Sequence, residues 1–341
     1  MNLTPSQCKE LIVAEASRLG VEKIAFASID PVDDEARNIY QRWIEGRHHG
    51  EMAYMEKYSD VRDNPALLLP GAKTIVCCAI NYQPRQRQYT NVPQIASYAL
   101  GRDYHEVVRE LLSTLAAYIE QLTGAKTRVC VDTAPLRERY WAVKSGLGFV
   151  GINNQLIIPS RGSRFFLGEI LITEHLPSDE PCTQKCLRCG ACVKACPAQA
   201  INADGSIDTQ RCISYLTIEH RGDLPVDVKL GNKVYGCDVC QDVCPHNHCS
   251  SPTTISDFQA SEALLKLDEE AMKTLTPEQF SALFRHSAIT KYYHSTKDVS
   301  NTQGFARHKN AATTMRIYVA PENEKVLKSG TYFEELHTYA S

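Results

Sequence analysis

No stretch of this 341-residue chain is apolar for long enough to cross a bilayer; the longest clean apolar run, Ile75 to Ile80, falls far short of the roughly 20 residues required. The start, Met1 to Gly20, lacks the basic and apolar stretches of an export signal, and Glu10 and Glu15 interrupt it at helical spacing. A cytoplasmic protein with no membrane partner is the expectation. Charge of one sign is missing as well: 37 Lys and Arg against 40 Asp and Glu leave a net charge of −3. That balance gives no global basic footprint, so nucleic acid would have to be met by local patches. There is no internal repeat, and 43% hydrophobic with 23% charged residues excludes disordered and collagen-like chains. What the chain does have is 14 cysteines. In a small secreted protein they would form a disulfide scaffold; in a long chain without an export signal they point to a reducing compartment and metal ligation.

Seven of them have ligand spacing, and an eighth can join them. Cys186, Cys189, Cys192 and Cys196, followed by Pro197, form the C-x₂-C-x₂-C-x₃-C-P run of bacterial ferredoxins, whose fourth cysteine serves the other cluster. Cys237, Cys240 and Cys244, followed by Pro245, repeat its latter part, and Cys212 can supply the missing ligand from a distance. Crossing the ligands in the ferredoxin manner assigns one [4Fe–4S] cluster to Cys186, Cys189, Cys192 and Cys244 and the other to Cys196, Cys212, Cys237 and Cys240. A structural zinc site is the plain alternative, but it has no use for the x₃-C-P element. Cys8, Cys77, Cys78, Cys130, Cys182 and Cys249 lack ligand spacing.

Before the cysteine-rich part the pattern alternates strand and helix. Thr4, Pro5 and Gln7 open a first helix as N-cap, first-turn proline and capping-box partner, and Gly20 closes it. Strands are expected over 21–28, 73–82 and 128–131, helices over 31–58, 104–122 and 135–145, and a strand pair over 155–159 and 165–173 around the 161–163 turn. The expected division is an α/β domain over 1–176, the ferredoxin-like part over 177–250 and a helical extension over 251–341, with helices near 264–273 and 277–284. Asp132 stands where a strand ends, a common place for site residues, although it could equally cap the next helix. Gly146, Gly148 and Gly151 follow a helix rather than a strand, which argues against a dinucleotide fingerprint.

These stretches together resemble the epoxyqueuosine reductases, cobalamin-dependent iron–sulfur enzymes that complete queuosine in tRNA. The resemblance runs in order through 97–105 (SYALGRDYH), 131–135 (VDTAP), 146–153, 162–169 (GSRFFLGE), 211–217 (RCISYLT) and 235–238 (YGCD), over roughly residues 1 to 250. It implies a nitroreductase-like α+β or α/β domain that holds cobalamin and substrate, beside a bacterial ferredoxin-like domain with two [4Fe–4S] clusters. An external one-electron donor would feed the clusters. Asp132 is implied as the proton donor, with its carboxyl raised by a desolvated pocket. Arg62, Asp132, Asn153, Leu156, Ile158, Leu167, Ser214 and Val239 are implied cofactor contacts. The partner is a tRNA carrying epoxyqueuosine, and the chain is expected to act as a monomer. Arg85, Arg87, Tyr89, Arg137, Lys144, Arg161, Arg164, His220 and Arg221 are candidate RNA contacts.

There are departures. Some members carry a cysteine where this chain has Ala96 or Ser97, so no catalytic cysteine is assigned; the usual Gly-Lys-Asn reads Gly151-Ile152-Asn153. No Asp-x-His-x-x-Gly stretch exists, which disfavours a histidine-ligated cobalamin. The chain also ends without the helical repeats of longer members. The rival readings are a reductive dehalogenase, which usually carries an export signal, and a ferredoxin-type electron carrier.

Overall fold

The computed structural model describes residues 3–89, 91–220, 224–274 and 276. Its centre is a four-stranded sheet in the order Lys23–Ser28, Thr74–Asn81, Phe165–Ile172, Thr127–Cys130, and every neighbouring pair is antiparallel. All eight residues of Thr74–Asn81 are buried, which explains its unbroken apolar sequence: helices cover both faces. On one face the helices Pro5–Arg18 and Tyr104–Thr123 bury Ile12, Val108, Leu112 and Leu115 against Phe26, Val76, Cys78 and Ile170. On the other, Glu138–Lys144 places Trp141 and Ala142 over Ala25, Cys77, Cys130 and Leu171.

The first helix has the expected capping box, with Thr4 and Gln7 exchanging hydrogen bonds. Asp103 caps Tyr104–Thr123, and Gly124 ends it in the left-handed conformation. The 31–58 expectation resolves into a helix Asp34–Glu45 and, after Gly46, a short 3₁₀ turn Ala53–Glu56. The helix expected from Pro135 starts only at Glu138, and Thr133 does not cap it: its N–H and hydroxyl both turn back to the Val131 carbonyl.

One expectation about the sheet is corrected. The pairing of 155–159 with 165–173 fails. Leu156–Ile157 pairs instead with Phe149–Val150, Ile158 makes only a single bridge to Gly162, and Phe165–Ile172 enters the main sheet. Gly148 permits this arrangement, because a Cβ there would lie 2.3 Å from the Ile157 carbonyl oxygen.

The cysteine-rich part is built on the short helices Ala191–Ala195 and Val239–Asp242, which pack together. It is stitched to the sheet domain by a parallel pairing of Gln94–Ile95 with Lys233–Tyr235 and by buried Asp238, which accepts the Ser97 N–H at 2.7 Å. Beyond it, the expected helix over 264–273 is split into Glu262–Leu265 and Glu269–Thr274; the expectation over 277–284 lies outside the described residues. Among the described residues, no helix is long and apolar enough to cross a membrane.

Candidate active site

Asp132 follows Thr127–Cys130 in a tight turn. Its φ is +50°, and the Thr133 N–H donates across it to the Val131 carbonyl at 2.6 Å, a γ-turn that few non-glycine residues adopt. Asp132 therefore does not cap the following helix. Its Oδ2 lies 2.9 Å from His105 Nε2, and His105 Nδ1 lies 2.8 Å from Asp103 Oδ1. Burial works to lower the His105 value, but hydrogen bonds to Asp103 and Asp132 outweigh it and lift the imidazole to about 9. The ring is therefore an imidazolium at neutral pH. It stacks on Tyr104, which in turn stacks on Phe166 with ring centroids 4.3 Å apart. The Tyr104 hydroxyl is pushed up by burial and by the Asp132 charge. The Asp132 side chain is 47% exposed, and burial falls on its neighbours.

Behind the turn lies a second acid. Glu138 Oε1 accepts the Asp132 backbone N–H at 2.9 Å. Burial, and then the charge on Asp132, raise the Glu138 carboxyl to about 7. Glu169 sits deeper, on the middle of the sheet, paired in register with Cys77 on one side and Cys130 on the other. It is fully buried and neither oxygen has a hydrogen-bond partner; burial, with Glu138 nearby, holds its carboxyl well above the ordinary range. Burial likewise pushes the Cys130 thiol up to about 12.

Of the eight expected cluster cysteines, four are gathered around a single cavity. Cys186, Cys189, Cys192 and Cys244 line one cavity with Ile152, Asn153 and Ile157. Burial raises the Cys192 and Cys244 thiols, and charge on Cys186 and Cys189 adds to both. In the other foursome burial pushes Cys237 up to about 11 and Cys240 further, with Cys212 adding to each, while Cys196 acts on Cys212. Backbone N–H groups already point at the sulfurs. Arg188 donates to Cys186, Ala200 to Cys196, Ser214 and Tyr215 to Cys212, Val239 to Cys237, and His246 and Asn247 to Cys244. Among the described residues, no three His, Cys, Asp or Glu side chains converge tightly enough for a single metal ion. Two sets of four thiols with amide donors suit larger iron–sulfur cubes, so the donor set fits the group.

Arg62 is buried and donates to the carbonyls of Lys57 and Tyr54. It thereby holds the turn that brings Tyr54 toward Asp132, whose charge helps push the Tyr54 hydroxyl up after burial and Glu219. Buried Asn153 reaches from the sheet domain to the Cys240 carbonyl at 3.3 Å. Leu156 and Ile158 are buried in the core under Trp141, with Leu167 partly buried against it. The Ser214 and Val239 amides are engaged by cysteine sulfur. Ser97 is buried and its hydroxyl has no partner.

Several candidate RNA contacts are committed elsewhere. Arg87 pairs with Asp242 and Asp238, Arg164 with Asp242, Arg137 with Asp63, Arg161 with Glu22, and His220 lies 3.6 Å from Glu51. Tyr89, 79% exposed, presents an open stacking surface; Arg221 lies outside the described residues. His105, Tyr104, Tyr54 and Glu138 were not singled out from sequence. Asp103 and His105 were tested there only as part of a cobalt-binding motif, although Asp-x-His at a helix start is itself a sign of an oriented imidazole.

Comparison with known proteins places this geometry in context. Residues 62–133 match the family described as "Epoxyqueuosine reductase QueG, DUF1730", and residues 185–247 match "4Fe-4S double cluster binding domain". An epoxyqueuosine reductase of Vibrio cholerae is 40% identical over 82% of this chain and 78% of its own. The structure of an epoxyqueuosine reductase with an epoxyqueuosine-modified tRNA stem loop superposes with a TM-score of 0.72 at 25% identity, over 99% of both chains. A Bacillus subtilis epoxyqueuosine reductase, solved with its catalytic aspartate loop swung out of the active site, gives 0.71 at 25% identity, again over 99% of both chains.

Proposed function

We propose, from the premise that this chain belongs to the epoxyqueuosine reductase family, that it reduces epoxyqueuosine to queuosine in a tRNA anticodon loop with Asp132 as the acid. The observation that carries this reading is the Asp103–His105–Asp132 array, with Asp132 half exposed, in a chain that also gathers Cys186, Cys189, Cys192 and Cys244 around one cavity. Turning an epoxide into an alkene consumes two electrons and two protons and releases water. Bound cobalamin and two [4Fe–4S] clusters supply the electrons, taken one at a time from an external donor.

The protein's own residues relay the protons. The His105 imidazolium, 2.9 Å from Asp132, passes its proton to the carboxyl, which delivers it to the leaving oxygen. Asp103 keeps the ring oriented while ring and half-exposed carboxyl take up the second proton from solvent. Cys186, Cys189, Cys192 and Cys244 hold one cluster, and Cys196, Cys212, Cys237 and Cys240 the other. Burial alone favours the protonated thiols, so their ionisation is linked to iron binding, and loading releases protons. Arg62, Asn153, Leu156, Ile158, Leu167, Ser214 and Val239, with Asp132, would hold cobalamin.

On this reading residues 1–176 bind cobalamin and substrate, 177–250 bind the clusters, and 251–341 form a C-terminal extension. The enzyme works as a cytoplasmic monomer. The test is single-turnover conversion of epoxyqueuosine-containing tRNA by protein loaded anaerobically with iron, sulfide and cobalamin, using a strong one-electron reductant. Queuosine is expected from the wild type, and a rate about 10² to 10⁴ lower from Asp132→Asn with unchanged cobalt and cluster absorbance. No conversion by fully loaded wild type overturns the function; a wild-type rate in Asp132→Asn removes the carboxyl from the acid role.

A further inference from the structure

The acid of this site has an unusual backbone. Asp132 has a left-handed φ of +50° in a γ-turn, a conformation costing an L-residue of this kind free energy wherever nothing holds it. Two contacts fix the residue. His105 holds its carboxylate, and Glu138, the first residue of the following helix, accepts its backbone N–H. The first acts on the reacting group itself; Glu138 touches only the backbone of the turn.

Its own surroundings leave Glu138 little other use. It is half-buried at the start of its helix, over the sheet face that carries Glu169, Cys77 and Cys130. A half-buried carboxyl between two other acids is an unfavourable group to keep unless its hydrogen bond matters. The preceding residue, Arg137, makes no side-chain cap for the helix and is turned away to Asp63 and the Ala36 carbonyl. The start of this helix is therefore tied to the Asp132 turn through Glu138.

We propose that Glu138 is the positioning residue of the reaction: its carboxylate, by accepting the Asp132 N–H, holds the turn in the left-handed conformation that aims the Asp132 carboxyl at His105 and the substrate. It acts through Asp132 and touches no reacting atom. The inference rests on Asp132 being the acid of the proposed reaction, and it predicts a specific pattern among variants. Glu138→Gln keeps an oxygen that can accept the same N–H; Glu138→Ala does not.

The experiment uses the full chain loaded with both clusters and cobalamin, and has two readouts. The first is amide hydrogen exchange of the peptide containing Asp132, in the absence of tRNA. The second is single-turnover rate on epoxyqueuosine-containing tRNA, with tRNA affinity measured separately. Glu138→Ala should speed exchange of the Asp132 amide by about ten- to a hundred-fold and slow turnover by a similar factor, leaving tRNA affinity and cluster absorbance unchanged. Glu138→Gln should restore most of both. In the Asp132→Asn background, Glu138→Ala should cost no further rate, since the residue it positions can no longer donate. Unchanged exchange in Glu138→Ala overturns the proposal, as does a rate loss that multiplies with that of Asp132→Asn. So does a loss of cluster absorbance in both Glu138 variants, which would make the residue a general support of the fold. If the exchange pattern appears as expected but wild-type protein does not convert the tRNA, the positioning role stands and the function reading falls.

Discussion

His105 stands between two carboxylates, 2.9 Å from Asp132 through Nε2 and 2.8 Å from Asp103 through Nδ1. With both ring nitrogens donating, the imidazole is held protonated, and the proton that replaces the one Asp132 gives away is already within hydrogen-bond reach. The acid at the mouth can thus stay half exposed to its substrate.

Replacing His105 by Gln should slow turnover by roughly ten- to a hundred-fold and abolish an alkaline limb of the pH–rate profile near the His105 value of about 9. Stability should respond with a definite sign. The folded value lies above the ordinary 6.5, so the proton bound to His105 stabilises the fold fully below about pH 6.5. That contribution is lost as pH rises through about 9. Screening at half-exposed Asp132 limits it to roughly 1 to 2 kcal/mol. Unfolding midpoints between pH 6 and 10 should slope downward in the wild type and be flatter in His105→Gln; parallel curves would show that the imidazolium contributes nothing.

Anaerobic reconstitution should yield about eight iron and eight sulfide per chain. Cys212→Ala should lose about half of each, and Cys182→Ala and Cys249→Ala neither, as measured by iron and acid-labile sulfide analysis. Equal losses from Cys212→Ala and Cys182→Ala would mean that the eighth ligand has been misassigned.

Asp238→Ala removes a buried carboxylate that accepts the Ser97 N–H at 2.7 Å and pairs with Arg87 at 3.0 Å. With Arg87 itself partly exposed, the loss should be about 2 to 3 kcal/mol of unfolding free energy. Denaturant titration of the loaded protein measures it, and a change under about 0.5 kcal/mol would show the two parts of the chain to be held by other contacts.

The sequence was most legible where the chemistry is local. Cysteine spacings two and three residues apart announce clusters because neighbouring turns alone set those sulfurs, and even Cys212, some distance away, could be found by counting to eight. The capping box at Thr4 and Gln7 and the helix from Tyr104 were readable for the same reason. Asp132 was found through its motif, but its working partners were not. His105 lies 27 residues upstream at the head of another helix, and no periodicity links the two. Glu138 is near in sequence but reads as an ordinary first-turn acid until the turn at Asp132 points an N–H at it. The arginines expected to face RNA were found paired with acids on other segments, which only the fold brings near.

The joint between Ser97 and Asp238 spans 141 residues of chain. On the ribosome, the four-stranded sheet has all its strands once Ile172 has emerged, whereas the segment carrying Ile95 and Ser97 must wait for Tyr235 and Asp238. At about 5 to 20 residues per second that wait is on the order of ten to thirty seconds. A long-range closure of this kind is slow to form and leaves Ile95, Tyr98 and Leu100 uncovered meanwhile. The last strand to close it comes from the same stretch that brings Cys237, Cys240 and Cys244. Shielding the nascent chain from aggregation and supplying it with iron therefore fall within one interval of its synthesis.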